Sequence, residues 1–297
     1  MNWFPFALWA AISSATTDAI IKARFSHLSS ASMAAIRCSA PAIFLLPALF
    51  FINWPKLNIE FFKTLVFLLP LEIIALVLYM KAIQISDLSV TIPFLAFTPV
   101  FALFTGWLIL GELPKILGII GVVLTVLGGY SLNIGESKKG LLEPIRCIFR
   151  EKGSLLMLIV AFIYSFTSVL GKKAVLLSNP LFFACFYFSL LSFVVPCVLS
   201  PFLLKDIRRH ILVSKKLRTS SITSYLAVAA SQASMVLCHF WAIRLVDVAY
   251  MISVKRTSLV FSVLYGKFLF KEQKILERLF GVFLMLMGVI FILFSKG

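Results

Sequence analysis

The chain has 297 residues, 61% of them hydrophobic and 13% charged, with a mean hydropathy of +1.03 and a formal net charge of +16. Soluble chains average roughly 45–50% apolar and about 25% charged residues, so this composition excludes a soluble domain and identifies a polytopic membrane protein. Most of the cations punctuate apolar segments, which argues against nucleic acid as a partner and assigns the charge to loops that orient the protein and meet anionic lipid headgroups.

The first segment, MNWFPFALWAAISSATTDAIIKARF, lacks a basic leader and a clear small-residue cleavage site, and reads as a retained span over residues 3–23. About 20 apolar residues cross a hydrocarbon core about 30 Å thick, and the lipid requires each crossing segment to be helical. Nine further spans follow at 33–52, 62–83, 88–110, 116–134, 154–173, 181–204, 222–243, 248–270 and 276–295. The expected fold class is therefore an all-α polytopic membrane protein with ten transmembrane helices. Two longer basic links interrupt the series, GESKKGLLEPIRCIFREKG at 135–153 and KDIRRHILVSKKLRTSS at 205–221. Five cysteines, Cys38, Cys147, Cys185, Cys197 and Cys238, show no C-x-x-C spacing, so no disulfide scaffold, metal site or cofactor is expected.

The link at 135–153 is the centre of an internal repeat. A shift of 160 residues superposes Ala82 on Ala242, Asp87 on Asp247, Gly106 on Gly266, Glu112 on Glu272, Gly121 on Gly281 and Gly128 on Gly288 without a gap. A second register, shifted by 151, pairs Ala10 with Ala161, Ser14 with Ser165, Thr16 with Thr167 and Lys22 with Lys173. Two halves of five helices each sit in opposite orientations because five is odd, which is the inverted-repeat plan of secondary transporters. The domains are a first five-helix repeat at 1–134, a basic linker at 135–153 and a second five-helix repeat at 154–297. The matched glycines are expected where helices approach closely.

The stretch ISDLSVTIPFLAFTPVFALFTGWLILGE (85–112) and its repeat LVDVAYMISVKRTSLVFSVLYGKFLFKE (245–272) are each followed nine residues later by a glycine. Each has proline or Ser/Thr near the middle of a helix, then a small residue and a terminal Gly-Glu or Lys-Glu. With Lys22, Arg37 and Asn179-Pro180, this pattern resembles the EamA-like branch of the drug/metabolite transporter superfamily over essentially the whole chain. The resemblance implies ten helices in two repeats and transport of a small metabolite, usually export. The second half departs from it with Lys271 in place of Gly111, and with Ser253 and Leu259 in place of Pro93 and Pro99.

Lys255 and Arg256 lie about 5–6 Å from the centre of the ninth span. Cations at that depth need an internal acid, a wet cavity or both. They are read either as a structural pair or as a site for an anionic substrate or counter-ion, Arg256 binding and Lys255 pairing. Glu72, mid-way along the third span and two residues after Pro70, is paired with one of them, neutral, or a coupling site. Asp18 is expected to pair with Arg37 or Lys22 near the interface. Tyr79, Thr98, Gln232, Trp241 and Tyr250 are candidate substrate contacts, and His239 a packed residue. Glu112 and Glu272 are expected to clasp the tight turns that follow them, where the next helix's N-terminus welcomes negative charge.

No enzyme motif is present: G-x-S-x-G, H-E-x-x-H and the Walker lysine are all missing, so transport energy comes from a gradient. The expected function is a secondary carrier for a small, anionic metabolite, acting as a monomer or homodimer in the plasma or inner membrane. A lipid flippase and a non-transporting scaffold are the rivals. Seventeen loop cations on one side against seven on the other place both termini outside by the positive-inside rule, whereas the resemblance implies both in the cytoplasm.

Overall fold

The computed structural model describes residues 2–85, 92–131, 152–211, 218–270 and 276–295. The start of the expected 135–153 linker and Glu272 lie outside these described residues, whereas its last two positions, Lys152 and Gly153, already belong to a helix. Every described element is helical, as a chain in lipid requires.

Local chemistry sets where each helix begins and bends. Helix α1 (Phe4–Phe25) carries proline in its first turn, where the missing N–H costs nothing. Ser29 caps α2 (Ser30–Ser39) by accepting from the Ser32 N–H, and Pro41 then separates it from α3 (Ala42–Ala48). Asn58 Oδ1 accepts from the Phe61 N–H at 3.0 Å to start α4 (Ile59–Ile85). A 3₁₀ segment (Ile92–Phe97) leads into α5 (Thr98–Leu110), then come α6 (Ile116–Ser131) and α7 (Lys152–Leu176). Asn179 Oδ1 caps α8 (Pro180–Ile211) through the Phe182 N–H at 2.7 Å, and α9 (Arg218–Leu245), α10 (Val248–Arg256), α11 (Ser258–Phe270) and α12 (Leu276–Ser295) complete the chain.

Among the described residues, six helical stretches are long and apolar enough to cross a membrane: Phe4–Phe25, Ser30–Ala48, Ile59–Ala82, Lys152–Leu176, Pro180–Leu203 and Ile222–Leu245. Phe94–Leu110, Ile116–Ser131 and Phe280–Ser295 are apolar but shorter. The expected ninth span is not one helix: it divides at Thr257 into α10 and α11. Its first-half counterpart divides at the matched place, since Thr98 and Ser258 begin α5 and α11, and Leu110 and Phe270 end them, in the 160-residue register.

The large helix contacts run between the halves. Helix α1 packs on α9 and α4 on α7, so the first and third helices of one half meet the third and first of the other. Helix α2 packs on α8 and α6 on α12, each against its own repeat counterpart, and α5 packs on α10.

Glycine makes the α6–α12 contact possible. A Cβ on Gly121 would lie 2.6 Å from the Gly288 carbonyl oxygen, and one on Gly128 would lie 2.6 Å from that of Gly281. Without a solvent-driven hydrophobic effect inside lipid, such backbone approach is what holds helices together. Gly121, Gly128, Gly281 and Gly288 thus sit at close helix contacts as the sequence suggests, whereas the matched Gly106 faces the Glu112 side chain of its own turn. The apolar side chains that remain outside, such as Val66, Phe67, Phe104, Phe283 and Phe294, form the outer surface.

Candidate functional site

Between the halves lies a cavity of about 200 Å³. From the first half it is lined by Ser14 and Asp18 of α1, Arg37 of α2, and Glu72, Leu76 and Tyr79 of α4. From the second it is lined by Tyr164 and Thr167 of α7, Tyr187 and Phe188 of α8, Gln232, His239 and Phe240 of α9, and Lys255 and Arg256 of α10. The charged groups gather towards α1, α2, α4 and α10, and the rings of Tyr187, Phe188 and Phe240 form an aromatic side.

The polar groups are tied to one another. Arg37 Nη1 donates to Asp18 Oδ1 in an ion pair. Arg256 Nη2 donates to Thr98 Oγ1 at 2.7 Å, and the Thr98 hydroxyl donates in turn to the Leu95 carbonyl, also at 2.7 Å. Arg256 therefore bridges from the end of α10 to the start of α5, linking the two helix breaks. Lys255 Nζ lies 3.4 Å from His239 Nδ1. The Arg256 Nε and the Gln232 Oε1 are buried without a hydrogen-bond partner. Glu72 stands beside the Thr167 hydroxyl with Lys255 and Arg37 within electrostatic reach, but it forms no ion pair with Lys255 or Arg256.

A second constellation lies at the far end of α5. Gly111 ends that helix in the left-handed region at φ 67°, and the Glu112 N–H returns to the Gly106 carbonyl at 3.2 Å. Glu112 was expected to serve the next helix in sequence; instead it reaches across to the other half. One carboxylate oxygen pairs with Lys172 of α7, and the other accepts from the Val248 N–H at 2.8 Å. Asp247 makes no side-chain cap there, so Glu112 caps α10. Lys172 also donates to the Val246 carbonyl at 2.7 Å, which closes the clasp.

Both halves of the chain match the model of the EamA-like transporter family, over residues 1–134 and 151–294. The chain belongs to the EamA-like transporter family. It is thus an integral multi-pass membrane protein of the drug/metabolite transporter superfamily. No curated protein matches it significantly. Among solved structures, one described only as "Crystal structure of protein" superposes with a TM-score of 0.70 at 12% identity, covering 99% of this chain and 97% of that one. A likeness at that identity is one of fold.

In this EamA-like transporter, Arg256, Lys255, Glu72, Tyr79 and Gln232 converge on the cavity, and Thr98 reaches it through Arg256. Trp241 and Tyr250 do not. Trp241 lies tilted beside Phe6 with ring centroids 6.2 Å apart, and Tyr250, 1% exposed, fills the space that the missing side chain of Gly118 leaves. Both sit on helices that line the cavity but point along other faces. Asp18 pairs with Arg37 as expected, and both line the cavity. His239 also lines it.

Sequence reasoning missed Arg37, Tyr164 and Phe188 as lining residues. The repeat register holds the signal that finds several others: Glu72 and Gln232, Leu76 and Val236, Tyr79 and His239, and Leu95 and Lys255 are all 160 apart, and all eight line the cavity. No group of three His, Cys, Asp or Glu side chains that could hold a metal occurs among the described residues.

Proposed function

We propose that the chain is a gradient-driven carrier that exports a small metabolite with an anionic group, by alternating access between two inverted five-helix halves. Reciprocal packing supports the inversion: Gly121 meets Gly288 while Gly128 meets Gly281, the antiparallel pattern that a two-fold axis in the membrane plane produces. One observation carries the transport reading. The cavity is lined by both halves and holds two deep cations, Lys255 and Arg256, whose hydrogen bonds go to neutral partners. A guanidinium at that depth suits a carboxylate or phosphate on the cargo. With about 200 Å³ available, below the roughly 300–1,000 Å³ of sites for drug-sized ligands, the cargo is small. The membrane is the plasma or inner membrane, and the carrier works as a monomer or homodimer.

The test is uptake of radiolabelled small anions into liposomes containing the purified protein, with and without an imposed gradient. At least one anion should accumulate with the parental protein, and Arg256→Gln should abolish its uptake. A parental protein that moves no member of the panel ends the reading in favour of a scaffold. So does a Lys255→Gln, Arg256→Gln double variant that transports at the parental rate.

A further inference from the structure

The charged lining groups of the cavity are Arg37, Lys255 and Arg256 against Asp18 and Glu72. Arg37 and Asp18 cancel in their ion pair. The remaining two cations have one acid between them, Glu72, which is bound to neither and stands beside the Thr167 hydroxyl. Arg256 donates to neutral Thr98, and Lys255 faces the imidazole of His239. Counted over the described residues, with each group in its ordinary ionised form, the site as built is one positive charge above neutral. A charge left over inside a membrane is strongly unfavourable until a ligand cancels it, and a second negative charge brought in by the ligand would be equally uncompensated.

We propose that Glu72 sets the charge this carrier accepts, so that the cargo is a small monoanion, a carboxylate on an apolar or aromatic body, and not a dianion such as a phosphate monoester. The proposal rests on the carrier reading above. The body of the cargo is placed by Tyr187, Phe188 and Phe240, which present rings to the cavity. The repeat supplies an internal control. Gln232 occupies the position of Glu72 in the second half and lines the same cavity, so the fold already holds the amide isostere at the equivalent depth. Glu72→Gln therefore removes a charge without changing volume, and Gln232→Glu adds one.

The experiment uses three probes of similar shape with the purified full-length protein in liposomes at pH 8: phenylpyruvate as monoanion, phenyl phosphate as dianion, and phenylalanine as zwitterion. A phosphate monoester loses its second proton with a pKa of about 6, so phenyl phosphate is doubly charged there. The parental protein should take up phenylpyruvate about tenfold better than phenyl phosphate, and Glu72→Gln should move that ratio by about tenfold or more towards the dianion. Gln232→Glu should lose phenylpyruvate uptake and favour phenylalanine. Monodisperse elution of each variant with parental tryptophan fluorescence shows that it has folded. If the parental protein prefers phenyl phosphate, or if folded Glu72→Gln leaves the ratio unchanged, the charge assignment fails while the carrier reading stands. If the parental protein moves none of the three, the assignment fails, and failure of the wider anion panel as well would remove the carrier reading with it.

Discussion

The two interrupted helices of this transporter share a backbone and differ in chemistry. The fourth segment breaks before Thr98 and the ninth before Ser258, at positions 160 apart, and both continue as helices of 13 residues. In the first half the break is flanked by Pro93 and Pro99, whose missing N–H groups account for it. The second half has Ser253 and Leu259 there and breaks all the same. Its substitute is Thr257, whose hydroxyl donates back to the Val254 carbonyl at 2.7 Å while its N–H turns to the same carbonyl at 3.0 Å. Side-chain back-bonding of this kind competes with the helix ladder and bends it. The residues just before the break diverge further: Leu95 and Ala96 in one half, Lys255 and Arg256 in the other. A duplicated frame has thus kept its shape while only one copy took the charge.

The sharpest way to break this comparison is to remove the charge. Arg256→Gln should abolish transport in liposomes, roughly a hundredfold loss or more for a desolvated charge pair with the cargo, while Lys255→Gln should cost about tenfold. Leu95→Ala, the matched change in the first half, should leave most activity. Equal losses in all three would mean that the halves contribute alike.

The next effect concerns the join between the two segments. Glu112→Ala leaves Lys172 buried without its acid and α10 without its cap. Breaking a buried pair in this way costs about 3–5 kcal/mol, which should appear as a large fall in the midpoint of thermal unfolding in detergent. Glu112→Gln keeps an acceptor for the Val248 N–H and should fall less. A smaller loss is expected on the seam between α6 and α12. Gly121→Ala forces a methyl against the Gly288 carbonyl and should cost about 1–3 kcal/mol, read by the same midpoint. The smallest belongs to the break itself: Thr257→Val removes one hydroxyl bond and should cost about 0.5–1.5 kcal/mol in the same unfolding measurement. A Thr257→Val protein more stable than the parent would show that the hydroxyl is not what holds the break.

Much of the frame was legible because lipid leaves few choices: an apolar run of sufficient length must be helical, and glycines matched between the repeats must serve close contacts. The cavity was legible in part for a similar reason, since Glu72, Lys255 and Arg256 are too costly in hydrocarbon to be anywhere but a polar interior. What failed was orientation around a helix. Tyr250 and Trp241 carry the right chemistry on the right helices, but helices that are largely apolar all round give no pattern to say which face meets the cavity. Glu112 failed differently. Its proximity in sequence to α6 suggested a local clasp, whereas its partners Lys172 and Val248 are 60 and 136 residues away, and only packing of the two halves brings them together.

The glycine seam has a mechanical consequence. Helices α6 and α12 touch backbone to backbone at two levels seven residues apart, and at each a Cβ would fall only 2.6 Å from the facing carbonyl oxygen, which leaves no room for one. Sliding one helix along the other by about a turn would carry Thr125 or Ile292, which lie on the same face one turn on, into the space that glycine keeps open. The seam therefore fixes the register of the two halves where α6 and α12 meet.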